Sequence, residues 1–248
     1  MCVACTVFKE TPYKQFTRPW NRMLKRWGVE AFHAKDFYCG GGEFKRETEQ
    51  RKRWFDEDTR TIPNLIGKNV ARVLCVAFRP DEFAKRASAD WKERFGIDTH
   101  AMAVQLCLVM NGWWLRDKHC LQYFAYVRES GDEGEGRVDE AVNRLWHDAE
   151  YGPLVRIKSY FTVKKGQARG TEASDFVAWH WNKHAVERLA KGLEPRKDFL
   201  AFARLTELQG KVSSAFITGP KLDEFFNVLE RAWRTTLNEQ PQLSETIK

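Results

Sequence analysis

"VRIKSYFTVKKGQARGTEASDFVAWHW", residues 155–181, carries a strand pattern straight into a helix pattern, and that junction decides how the chain is built. "VRIKSYFTVKK" alternates apolar and polar residues, the period of a strand with one face covered. From about residue 170 the spacing turns helical. The same unit stands just upstream, where "CLQYFAYVRE" reads as a strand apolar on both faces. It precedes "GRVDEAVNRLWHDAE", a helix with Val138, Val142, Leu145 and Trp146 on one side. Before these, "ARVLCVAF" (71–78) suits a buried strand and "THAMAVQLCLVMNGWWL" is a nearly all-apolar helix. Strands alternating with helices predict parallel neighbours, with the crossover helices covering the sheet, hence an α/β fold.

Working outward, "CVACTVF" reads as a short buried strand. "TPYKQFTRPWNRMLKRWG" follows as a helix with Thr11 as cap and Pro12 in its first position. Phe16, Trp20, Met23, Leu24 and Trp27 share one face, and Pro19 is expected to kink the helix. "FHAKDF" is expected to be a compact turn, and "EFKRETEQRKRWFDEDTR" a charged, exposed helix. Two more amphipathic helices are expected at about 197–208 and 220–236. The reading is a single α/β domain over residues 1–248, with a core at about 1–190 and a C-terminal helical extension at about 191–248.

A net charge of +7 and a pI near 9.1 suit an anionic partner, nucleic acid first. The charge is scattered, so a solvated basic surface explains it equally well. Six separated cysteines, several inside apolar runs, suit reduced thiols and a cytoplasmic location. "CVAC" lies in an expected strand, where residues three apart face opposite sides, which argues against a zinc site. "MCVACTVFKE" lacks the basic start and cleavage site of a signal peptide. The longest apolar run is short for a bilayer, so no membrane association is expected.

In open α/β sheets, ligands gather beyond the carboxyl ends of parallel strands. Glu129 ends an expected strand there, and reads either as a metal ligand or as a strand-end acid paired with a surface lysine. Asp132, Glu133 and Glu135 follow among glycines and are expected to be solvated. Asp175 begins the helix after the next strand, as a ligand or as an acid favoured by the helix dipole, with Thr171 the better cap. Two carboxylates at one sheet end suit Mg²⁺ or Mn²⁺, although a third ligand is wanted. His33 and Asp36 in "FHAKDF" are the next candidates, the aspartate setting the histidine tautomer, or the pair merely closing a local turn. His180 and His184, one helical turn apart, lack the glutamate of a zinc-hydrolase pattern and read as packing or surface residues. "CGGGEF" (39–44) lacks the residues of a phosphate-binding loop and is expected to be a turn or lid beside His33 and Asp36.

In their order and spacing, "WNRMLKRWGVEAFHAKDF", the strand ending in Glu129 and "GTEASDFVAWHW" resemble domain-of-unknown-function family 3800, over most of residues 3–185. The resemblance implies a ribonuclease H-like mixed sheet flanked by helices, here with extra C-terminal helices. It implies that Glu129 is the middle acid and Asp175 the last, with His33 and Asp36 as the family's early motif. Glu172 departs from the family, standing where glutamine is commoner. Members of that family begin with a strand ending in Asp-Glu-Ser-Gly. The resemblance therefore implies a shortened start or a variant that has lost that strand, and with it the aspartate that would be the third ligand, so that impaired catalysis and an exposed sheet edge are expected.

The expected function is a metal-dependent nuclease with His33, Asp36, Glu129 and Asp175 catalytic and Glu129 and Asp175 holding Mg²⁺ or Mn²⁺. Lys14, Lys25, Arg26, Arg51, Lys52 and Arg53 would steer the nucleic-acid backbone. The alternative is a non-catalytic nucleic-acid-binding protein, or an interaction protein of a defence or mobile-element system.

Overall fold

A computed structural model of the chain describes residues 1–45, 49, 53–54, 61–89, 99–131, 134–149, 151–185, 191–194, 196, 199–200 and 210–217. The architecture is mixed α/β. In chain order the elements are β1 (Cys2–Phe8), α1 (Glu10–Trp27), α2 (Ala34–Cys39), α3 (Thr61–Asn69), β2 (Val70–Phe78), α4 (Pro80–Arg86) and α5 (Thr99–Asp117). After them come β3 (Phe124–Glu129), α6 (Glu135–His147), α7 (Tyr151–Val155), β4 (Ile157–Val163), α8 (Arg169–Ala185) and β5 (Val212–Ile217).

The strands form two small sheets rather than one. In the first, β2 lies between β1, antiparallel, and β5, parallel. In the second, β3 and β4 run parallel, with Glu129 opposite Val163. Parallel pairing across a crossover helix is thus found for β3 and β4, as the alternation predicts. The single continuous mixed sheet is not found among the described residues. There β1 has β2 as its one strand neighbour and β3 has β4, so each carries an unpaired edge.

Strand geometry sends successive side chains to opposite faces, and β2 supplies both cores. Val73 and Cys75 join the first, with Phe16, Trp20, Phe32, Phe37 and Phe176. Leu74, Val76 and Phe78 join the second, with the apolar side chains of α5 and with Val138 and Val142. A strand covered on both sides must be apolar throughout, which is why "VLCVAF" contains no polar side chain. The expected face of α1 is buried as predicted, from Phe16 to Trp27, and Gly28 ends the helix at φ 71°. The cap is Lys9 rather than Thr11, which lies inside the helix. Pro19 sits within a continuous helix. The carbonyl it leaves without an N–H belongs to Gln15, which is exposed to water.

Other expectations are corrected. β3 starts at Phe124 rather than Cys120, and Val127 on it is 36% exposed, so the strand is not buried on both faces. "FHAKDF" is not a turn: Ala34–Cys39 is a short helix, with His33 at its cap. Most of "EFKRETEQRKRWFDEDTR" and the two expected late helices lie outside the described residues. No described helix is long and apolar enough to cross a membrane.

Candidate acidic site

The carboxyl end of β3 is fixed from beneath. The buried Arg128 guanidinium donates to the Tyr160 hydroxyl at 3.0 Å, to its neighbour's carbonyl at 3.0 Å, and to Glu135 and Asp139 at 2.9 Å each. Glu135 also accepts the Gly131 N–H at 3.0 Å. That acid is therefore placed rather than solvated, contrary to the sequence expectation, while Asp132 and Glu133 lie outside the described residues. A buried charge with one hydrogen bond to each of four partners holds one geometry, so Glu129 leaves a rigid strand end.

The opposite wall is α8. Its first turn is stapled to α1 by Arg169, which donates to Asn21 Oδ1 at 2.6 Å and to the Glu30 carbonyl at 3.0 Å and pairs with Glu172. Glu172, 1% exposed, accepts the Trp20 indole N–H at 2.6 Å. Burial pushes its carboxyl above the ordinary range, while Trp20 and Arg169 hold it down. Glu172 is a structural anchor and does not reach Asp175's surroundings through any of these bonds. The helix begins at Arg169, so Asp175 lies in its second turn and not at its start. The dipole explanation for this acid weakens accordingly, since that effect fades within the first turn. Thr171 is likewise not a cap. Its hydroxyl lies 2.7 Å from the Ala168 carbonyl and 3.2 Å from Glu129 Oε2.

Thr171 and Asp175 are four residues apart, so they sit on one helix face about 5–6 Å from each other. Glu129 meets the first, and the second meets α2: Asp175 Oδ2 accepts from His33 Nδ1 at 2.7 Å and from the Ala34 N–H at 2.8 Å. The structure therefore brings Glu129, Asp175 and His33 to one rim. Burial raises the Glu129 carboxyl above its usual range, and the negative charge of Asp175 raises it further, against Thr171, Lys165 and His33. The Asp175 bond raises the His33 pKa against burial. Among the described residues, Glu129 Oε1 and Asp175 Oδ1 have no protein donor.

Asp36 has a different place from the one expected. The partner of His33 Nδ1 is Asp175, which fixes the tautomer that Asp36 was expected to set. The Asp36 carboxylate lies instead 3.7 Å from Lys165 Nζ and against Gly41 and Gly42. A Cβ at Gly41 would stand 2.7 Å from Oδ1, and one at Gly42 2.8 Å from Oδ2. "CGGGEF" is thus a turn closed around this acid. Lys165, which the sequence did not single out, sits in the β4–α8 turn and its charge reaches both Glu129 and His33.

His180 and His184 pack: His180 Nε2 meets the Tyr38 hydroxyl at 2.7 Å and His184 stacks on Phe199. Of the expected steering cations, Lys14 pairs with Glu10, Lys25, Arg26 and Arg53 are exposed, and Arg51 and Lys52 lie outside the described residues. Among the described residues no three histidine, cysteine or acidic side chains converge closely enough to hold a metal by themselves. The two carboxylate oxygens without donors suit a hard cation that takes its other ligands from water and phosphate.

Comparison with protein-family models, with curated proteins and with solved structures finds no match for this chain.

Proposed function

We propose that the protein is a metal-dependent nuclease of ribonuclease H-like build, related to family 3800, cleaving phosphodiesters of nucleic acid. One observation carries the reading. Two carboxylates 46 positions apart in the chain, Glu129 and Asp175, lie near enough at the carboxyl end of parallel strands for the charge of Asp175 to raise the Glu129 carboxyl, and among the described residues each keeps an oxygen without a donor. Mutual repulsion favours a cation between them. A divalent Mg²⁺ or Mn²⁺ there would supply activation of water and neutralisation of the departing oxygen. His33, with its Nδ1 proton held by Asp175, presents Nε2 to accept a proton from water. Lys165 would contact a phosphate oxygen, and the exposed Lys25 and Arg26 would attract the backbone.

A second reading, a nucleic-acid-binding protein without cleavage, is favoured by the absence of a three-ligand metal group among the described residues. A Mg²⁺-dependent cleavage assay on DNA and RNA separates the two. Cleavage abolished by Asp175→Asn supports the nuclease. Salt-sensitive binding without cleavage supports the second reading.

A further inference from the structure

The sheet formed by β3 and β4 is covered on one face only. Phe124, Tyr126 and Tyr160 turn inward to the second core. Alternation sends Ala125, Val127 and Glu129 to the other face, with Phe161 opposite Val127 and Val163 opposite Glu129. A parallel pair is ordinarily covered on both faces. Here Phe161 is 52% exposed, and Tyr123, at the entry to β3, is 66% exposed. Neither ring contacts another aromatic ring among the described residues. The chain around this face is basic. Residues 156–169, "RIKSYFTVKKGQAR", hold five cations and no acid, and Lys158, Lys164 and Lys165 are exposed. The face ends at Glu129, so it runs directly into the acidic site.

We propose that this open face is a platform for single-stranded nucleic acid, with one unpaired base stacked on the Phe161 ring and another on Tyr123. The proposal rests on the nucleic-acid reading above and names its substrate class. Single-strand sites combine cations along the path of the backbone with aromatic rings for successive bases, and an open sheet face is a common way to present those rings. A protein partner would also suit an apolar face, but it leaves the acid-free basic rim without a purpose. A single strand uses both. Phe161 stands on a strand whose pairing with β3 fixes its backbone, so the ring is presented without a loop having to order. Glu129 lies two residues beyond Val127, about 6.6 Å along the strand, or about two steps of a stacked strand at about 3.4 Å per nucleotide. A base on Phe161 therefore lies about two nucleotides from the phosphate facing Glu129 and Asp175. Lys164 and Lys165 follow β4 at that same end. A duplex, whose bases are already paired and stacked, offers these rings no free base.

Fluorescence anisotropy with labelled single-stranded and duplex oligonucleotides of one sequence, in EDTA so that no metal-dependent cleavage occurs, tests this. The expected result is tighter binding of the single strand and a loss of about 5- to 150-fold in that affinity for Phe161→Ala. Phe161→Leu, apolar but without a ring, should lose as much, and Phe161→Tyr should stay within a few-fold of the native chain. Because Phe161 is more than half exposed, all three variants should melt near the native temperature. Unchanged binding by Phe161→Ala, or binding by Phe161→Leu as tight as by Phe161→Tyr, overturns the platform and leaves the nuclease reading standing. So does a native dimer in sedimentation that Phe161→Ala dissociates, since the face is then an interface between two copies. Phe161-dependent binding without metal-dependent cleavage supports the platform and overturns the nuclease. Absence of any binding by the native chain overturns both.

Discussion

Removing Arg169 should destabilise the fold by an amount that depends on pH in a defined direction. Its guanidinium pairs with Glu172, whose side chain is wholly buried while that of Arg169 is 20% exposed. Breaking a buried pair by deleting one partner costs about 3–5 kcal/mol, and the residual exposure of Arg169 places Arg169→Ala near the lower end, about 3 kcal/mol. For a chain of this size that is a fall of about 6–12 °C in Tm. The Glu172 carboxyl is already raised by burial, and losing Arg169 removes one of the groups holding it down. A carboxyl with a raised folded pKa binds protons more tightly in the folded state, so stability falls as pH rises from its unfolded value through its folded one. The cost of Arg169→Ala is therefore smaller at pH 5 than at pH 8, because losing the guanidinium raises the Glu172 carboxyl further and its protonated form needs no cation. Adding Glu172→Gln, whose amide oxygen still accepts the Trp20 N–H, should recover most of the loss. Urea denaturation of the three variants at both pH values is the assay. An equal loss at pH 5 and pH 8, or a double variant as weak as Arg169→Ala, would refute the reasoning.

Other consequences are equally specific. The His33 resonance, followed by NMR, should titrate above the ordinary histidine value and drop toward it in Asp175→Asn. The stability this pair adds is fully present below about pH 6.5 and is lost as pH rises through the raised value; with both side chains about one-third exposed, it is worth at most about 1 kcal/mol. Gly42→Ala should cost about 1–2 kcal/mol by thermal denaturation, since Gly42 has φ 48° and its new methyl group would press on Asp36. In the native chain, alkylation followed by mass spectrometry should label the exposed Cys39 within minutes and leave Cys5, Cys75 and Cys107 unmodified until urea is added. Burial raises all three of those thiols, Cys5 to about 11.

Local pattern made much of this legible. α1 announces itself because five large apolar residues recur on one face and a glycine ends it. β2 is readable because its stretch from Val73 to Phe78, covered on both sides, has no room for polar side chains. What could not be read depends on residues far apart in sequence. Glu172 and Asp175 are both acids in one helix, and it is burial against Trp20, 152 residues away, that sets the first apart as an anchor. The choice between Asp36 and Asp175 as partner of His33 is a matter of tertiary approach, 142 residues apart. β5 was missed because "VSSAFI" is short and carries two serines, and its place is fixed by parallel pairing with β2. Glu135 looked solvated among glycines, since nothing local shows the buried Arg128 beneath it.

The account turns on a cation shared by Glu129 and Asp175. Crystals of the native chain soaked in Mn²⁺ and measured at the manganese absorption edge should show an anomalous peak bonded to one carboxylate oxygen from each residue, and the peak should vanish in Asp175→Asn. Density placing no manganese between those two side chains would contradict it.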